Sequence, residues 1–500
     1  MLPASSPKIS RLPFLVLAGV LAVYLILVVM HGRFLNVDEV FYKAAGAHWA
    51  LDNHFAAPEL FGRLPFDPPI EKVFACYPPL YPFAFGVFTH AWGFGHLQIC
   101  VFDALLRVLL CAVTAYTARR LTPGGCSSWP AAMAGLLVLP LSAIGRPDDL
   151  AVIWGLLACT RLMPSSTHAR CFQAGILLGL SAATSIVAAG VLAAVATGLV
   201  VAEPGAPGRS RLSRVMIMGG VSAAVLIAAF VPLLCVDGNA WRQIIDHGAD
   251  NVRSDTFWTT WQEAWRNGRY TMTASGGLVL AAFILLFGSI RTSLFGDIWL
   301  RWFPAVLLVI ALIVLKTAGK FYYIWFAGPW LVAACMALFA QAWTENVRRG
   351  VALTAAGILV GGCIYGAQFW VVERLALACL PPDQRFEAAS ERIKAVVPAG
   401  ATVMAFEHWI TLVGRNPIRE HNTPSPENTW ASIDYIVLTG NGSGAPGVAQ
   451  LHLPAFIDYA AAHFEKIDDN LSVEPLRLGG IRITNSAYGW GAVIYRRVGR

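Results

Sequence analysis

The chain has 500 residues, of which 56% are hydrophobic and only 13% charged. Soluble domains carry roughly 25% charged residues, so a soluble globular protein is excluded and a polytopic membrane protein is expected. The net charge of +7 does not point to nucleic acid, because the basic residues gather in short loops, the pattern that sets membrane topology.

Residues 12–30 form the first apolar run, long enough to span, since about 20 apolar residues cross the hydrocarbon. Lys8 and Arg11 precede it, as in a signal peptide, but the run exceeds a typical h-region and no small-x-small cleavage site follows. An uncleaved first helix with its N-terminus in the cytoplasm is expected. Directly after it the chain reads His31-Gly-Arg-Phe-Leu-Asn-Val-Asp38-Glu39, an acidic pair where the helix leaves the bilayer. Tyr77-Pro-Pro-Leu-Tyr-Pro82 then leads into an apolar stretch, 83–94. A full crossing there would put Asp38 on the same side as Arg119-Arg120, so a helix lying in the interface, or re-entrant, is expected.

Apolar segments follow at about 98–118, 129–145, 148–163, 171–202, 214–236, 274–290, 299–316, 321–341 and 349–372. The basic residues between them satisfy the positive-inside rule only if 171–202 crosses twice, with a bend near Ala182-Ala-Thr-Ser185. About eleven crossings result, with three segments on the outer side: 32–97, 237–273 and the tail from 373. Residues 1–372 are thus expected to form a membrane domain and 373–500 a small extracytoplasmic α/β domain. Within the tail, 384–397 has the apolar spacing of an amphipathic helix, and 402–406, 435–439 and 493–495 read as strands. Most cysteines lie in apolar segments without CxxC spacing and read as small buried hydrophobes; Cys76 and Cys379 fall outside the membrane and could pair.

Asp38-Glu39-Val-Phe-Tyr42, Pro58 and Tyr77-Pro-Pro-Leu80 resemble the first outer loop of the GT-C glycosyltransferases. The branch most similar is the bacterial group related to protein O-mannosyltransferases and the lipid A aminoarabinose transferase. Arg107, Arg146-Pro-Asp148 and Ala318-Gly-Lys320-Phe-Tyr-Tyr323 with Gly328-Pro329 match later motifs in the same order. The resemblance implies inverting transfer of a sugar from a polyprenyl-phosphate donor to a lipid, glycan or protein acceptor. It places the enzyme in the bacterial inner membrane, with the site on the periplasmic face. It makes Asp38 the general base, Glu39 a supporting acid and Asp148 a second acidic candidate. Lys316, Lys320, Arg146 and Tyr323 would meet the donor phosphate, and Tyr42 and Tyr77 would line the cleft.

Each residue also has a plainer reading. Asp38 and Glu39 could be a solvated helix end, Asp148-Asp149 could cap the following helix, and the lysines could snorkel. Arg107 and Asp103 have the i,i+4 spacing of an intrahelical pair. Arg242, Arg253, Arg266 and Arg269 are not ranked by the sequence, and the tryptophans of 237–273 read first as an interfacial belt. His48, His54 and His408 lack metal spacing, and no ligand set is fixed near the acids, so no cofactor is expected, although some GT-C enzymes hold a divalent metal there. Tyr77 stands where the aminoarabinose branch often has a lysine, and Thr184-Ser185 lack another, so other cations must meet the phosphate. The alternative function is a transporter or flippase of a lipid-linked sugar. Such proteins often carry internal repeats and midplane charges, and here most ionisable residues lie at helix ends.

Overall fold

A computed structural model describes residues 11–33, 39–57, 68–122, 126–140, 145–251 and 326–342, and much of 371–499, with short breaks. Its first helix, α1 (Leu12–His31), buries Leu17, Leu21, Tyr24 and Val28, the i,i+4,i+7 stripe of a helix packed on one side only. The remaining faces are apolar and exposed, as suits a helix meeting lipid. It ends at Gly32, where φ is +64° and a Cβ would lie 2.7 Å from His96 Cε1, so glycine is required.

Next come α2 (Glu39–Asp52), α3 (Leu80–Trp92), α4 (His96–Leu121), α5 (Trp129–Val138), α6 (Asp148–Leu162), α7 (His168–Ala182), α8 (Ile186–Val201), α9 (Gly208–Val236) and α10 (Trp241–Asn251). Among the described residues, α1, α4 and α9 are long and apolar enough to cross a membrane, and α5, α8 and Gly328–Ala337 are shorter apolar helices. The run 171–202 is broken as expected: α7 and α8 are separate helices joined by a turn at Ala183–Ser185. Segment 129–145 is shorter than expected, because α5 gives way to a turn at Leu139-Pro140, and proline cannot continue a helix. The segments expected at 274–290 and 299–316, and most of 349–372, lie outside the described residues.

The helices pack through small residues. A Cβ at Gly46 would meet Pro82 O at 2.0 Å, which brings α2 and α3 into contact. Gly175 and Gly179 do the same for α7 against α9, the small-xxx-small spacing that lets helices approach closely. Along α3, Phe83, Val87 and Trp92 remain exposed. The backbone N–H of Leu80 donates to Ala183 O at 2.9 Å, which ties the start of α3 to the α7–α8 turn at one end of the bundle.

The C-terminal part holds the helix Phe386–Val396 and a five-stranded mixed sheet in the order β2-β1-β3-β7-β4. Its strands are β1 (Val403–Ala405), β2 (Ile418–Arg419), β3 (Tyr435–Thr439), β4 (Phe464–Asp469) and β7 (Ala492–Arg497). The strands β5 (Pro475–Leu478) and β6 (Ile481–Ala487) form a separate antiparallel pair. The three strands expected from sequence are the sheet centre; β2 and β4 are its edges. Phe386, Trp409 and Trp490 share a core with Phe41, Phe74 and Phe85 of the first loop. His96 stacks on Phe386 at 4.1 Å, and the Arg374 guanidinium donates to Gly32 O, so this part seats on the end of the bundle that carries α2. Cys76 and Cys379 are both free, correcting the possible pairing.

Candidate active site

Three charged groups gather at the end of the bundle where α2, α4 and α6 begin. The first is fully buried. Glu39, at the start of α2, accepts from Arg33 on both oxygens, at 2.6 and 2.7 Å. Lys43, one turn along α2, donates to Glu39 Oε2 at 2.6 Å and to Asp103 Oδ2 at 2.7 Å. Arg33 also donates to Asp103, and Tyr81 Oη donates to Asp103 Oδ1 at 3.1 Å. Among the described residues, two cations thus balance two carboxylates, all four buried, the condition under which buried charges are tolerated. Burial pushes the Glu39 carboxyl up, but Arg33 and Lys43 outweigh it and hold Glu39 below its ordinary value.

The second group lies one turn further along α4. Arg107 grips Asp149 with two parallel bonds, Nε to Oδ2 at 2.8 Å and Nη2 to Oδ1 at 3.2 Å, and Nη1 donates to Leu139 O at 3.1 Å. The expected pairing of Asp103 with Arg107 is therefore corrected: each has its partner on another helix. Low-dielectric burial favours this arrangement, because the bidentate fork needs a carboxylate facing it and Asp149 supplies one.

The third group is partly open. Arg146 Nε meets Asp148 Oδ2 at 3.1 Å, with side chains 11% and 16% exposed. The Arg146 guanidinium lies 5.3 Å from the centre of the Tyr42 ring, and Tyr42 meets Tyr77 edge-on at 5.0 Å. Asp148 and Asp149 both fall in the first turn of α6, where the helix dipole favours acids, but the N-cap is Pro147 and makes no side-chain cap bond.

Gly145 joins the first and third groups. Its φ is +96°, and a Cβ there would lie 2.6 Å from the Glu39 carboxyl carbon and 2.9 Å from Arg33 Nη2. The strand of chain carrying Arg146 and Asp148 is thus seated on the Glu39–Arg33 pair. Of the residues singled out from sequence, Glu39, Tyr42, Tyr77, Arg146 and Asp148 come together here. Asp38, Lys316, Lys320 and Tyr323 lie outside the described residues, as do Pro58, Arg253, Arg266 and Arg269. Arg242 is exposed on α10, beside the Trp241 ring.

Arg33, Lys43, Gly145 and Gln243 belong to the site or its supports, and no motif in the sequence marks them. The Glu39–Lys43 spacing of i,i+4 was a usable signal for the second. Gln243 had none. It is wholly buried on α10, accepts from Ala75 N at 2.8 Å and donates to Pro68 O and Val73 O at 2.7 and 2.9 Å, which braces the segment leading to Tyr77.

No family model and no curated protein matches the chain. Solved structures do. ArnT from Cupriavidus metallidurans bound to undecaprenyl phosphate superposes with a TM-score of 0.56 at 13% identity, over 97% of this chain and 98% of that one. The apo state of the same protein gives 0.53 at 13% identity, over 96% and 97%. The arabinofuranosyltransferase AftD from Mycobacteria gives 0.50 at 16% identity over 98% of this chain, which spans 40% of AftD's length. The end-to-end match to ArnT, together with the apolar helices and the C-terminal sheet, shows a polytopic helical membrane protein built on the GT-C fold.

Proposed function

We propose that the protein is a membrane glycosyltransferase that moves a sugar from a polyprenyl-phosphate donor to a lipid, glycan or protein acceptor. The observation that carries this reading is the meeting of Arg146, Asp148, Tyr42 and Tyr77 at one end of a bundle with the fold of ArnT, a protein solved with undecaprenyl phosphate. An acid, a cation and paired aromatic rings are what the transfer requires: a proton acceptor, a partner for phosphate charge, and a surface for sugar or prenyl chain.

In this reading the acceptor hydroxyl oxygen attacks the anomeric carbon from the face opposite the phosphate, and the configuration inverts. The carbon–oxygen bond to the phosphate breaks, and its electron pair leaves with the polyprenyl phosphate. Asp38 takes the hydroxyl proton, with Glu39 behind it and Asp148 as the second acid. Arg146, Lys316, Lys320 and Tyr323 meet the phosphate, and Tyr42 and Tyr77 line the cleft. The site and the C-terminal domain, 373–500, face the periplasm from the inner membrane, and the donor enters from the lipid.

The test is transfer by purified protein in proteoliposomes, with labelled polyprenyl-phosphate sugars and candidate acceptors. Transfer that depends on Asp38 supports the reading. Movement of the labelled lipid between leaflets without any transfer would replace it with a flippase.

A further inference from the structure

Glu39 and Asp149, each the second acid of a pair in the sequence, are placed alike. In Asp38-Glu39 and in Asp148-Asp149, the second acid is consumed inside the protein. Glu39 is wholly buried, with both oxygens engaged by Arg33 and one also by Lys43. Asp149 has a side chain only 6% exposed and gives both oxygens to Arg107. A carboxylate that takes a proton from a substrate must lie within hydrogen-bond reach of it, and these two are already fully committed.

Both commitments run to α4. The Glu39 group is joined to it by Lys43 and Arg33 on Asp103, and Asp149 by Arg107. Asp103 and Arg107 are four residues apart on one helix, a rise of about 6 Å. One arm holds α2, which carries Tyr42 between Glu39 and Lys43. The other holds the start of α6, just after Arg146 and Asp148. Gly145 closes the frame by resting against the Glu39 carboxylate.

We propose that α4 sets the geometry of the site through these two buried anchors, with Glu39 and Asp149 as positioning residues that do not themselves react. The proposal rests on the transferase reading for its catalytic consequence. Its physical basis is that a buried ion pair adds little net stability over a well-packed apolar pair, whereas its directional bonds fix the relative placement of two helices. Displacements of about 1 Å at a reacting centre cost on the order of 100-fold in rate.

The test separates placement from stability. Asp149→Asn leaves Arg107 without its counter-charge, and both melting temperature and rate fall. The paired variant Arg107→Met with Asp149→Leu removes both charges. Its melting temperature returns close to the wild-type value, while kcat at saturating donor stays about 10- to 100-fold low. A second readout needs no activity. Cysteines placed at Tyr42 and Arg146, in a background where the exposed Cys235 and Cys379 are serine, are joined by a short thiol-reactive linker and the yield is read by mass spectrometry. That yield falls in the paired variant. A paired variant with wild-type kcat and wild-type cross-linking would overturn the proposal. Full transfer by Asp38→Asn would instead overturn the assignment of the base, and the cross-linking result would stand.

Discussion

Arg146 lies with its guanidinium 5.3 Å from the centre of the Tyr42 ring while its Nε holds Asp148 at 3.1 Å. One cation therefore bridges an aromatic residue of α2 and an acid of α6, near the starts of the two helices. Such a contact contributes about 0.5–2 kcal/mol according to how dry it is. Tyr42→Phe keeps the ring and should retain activity. Tyr42→Leu should raise the KM for the donor about 10-fold with little change in melting temperature, measured by steady-state transfer and thermal unfolding.

Glu39 should behave as a structural charge. Glu39→Gln removes one of the two carboxylates that Arg33 and Lys43 are seen to share, and breaking a buried pair costs about 3–5 kcal/mol. The folded carboxyl is held below its unfolded value, so its contribution is complete above the unfolded value of about 4.3 and is lost as pH falls through the folded value. Thermal unfolding should therefore show the Glu39→Gln loss in full between pH 6 and 9, and a shrinking difference from wild type only at acid pH.

His408 gives the opposite region of sensitivity. It is wholly buried between Phe386 and Trp490, its Nε2 donates to Trp490 O at 2.9 Å, and burial, with His96 close by, pushes it down to about 4. The unfolded imidazole takes its proton near pH 6.5, so stability from this group is full above 6.5 and declines as pH falls to about 4, by about 3 kcal/mol in all. The unfolding midpoint should drop between pH 7 and 5, and His408→Phe should flatten that part of the profile.

Gly145 should tolerate no side chain. Gly145→Ala adds a Cβ 2.6 Å from the Glu39 carboxyl carbon at a φ of +96°, where non-glycine residues are strained by about 1–3 kcal/mol. Loss of transfer at saturating donor should exceed what the fall in melting temperature explains, because the same change displaces Arg146 and Asp148.

Much of this architecture was legible in the chain. The length of 171–202 required a break, and Ala183–Ser185 is where it falls. The central strands β1, β3 and β7 are apolar and were readable; β4, Phe464-Glu-Lys-Ile-Asp-Asp469, buries only Phe464 and carries the polarity of an edge strand. At the site, residue types were readable and partnerships were not. Asp103 and Arg107 look like a helix-surface pair in one dimension, but in a dry interior each is claimed by a charge on a neighbouring helix. Gly145 and Gln243 owe their roles to contacts with residues 106 and about 170 positions away, which no local pattern encodes.

In the proposed reaction the sugar leaves a polyprenyl phosphate while Asp38 takes the acceptor proton, and substitution of that one carboxylate separates a base from a bystander. Wild type and Asp38→Asn, purified in parallel and matched for melting temperature, are supplied with labelled polyprenyl-phosphate sugars and acceptors. Removal of a general base costs about 100- to 10,000-fold, so wild type should transfer the sugar and the variant should lose activity of that order. Undiminished transfer by Asp38→Asn would contradict the role of Asp38 as base.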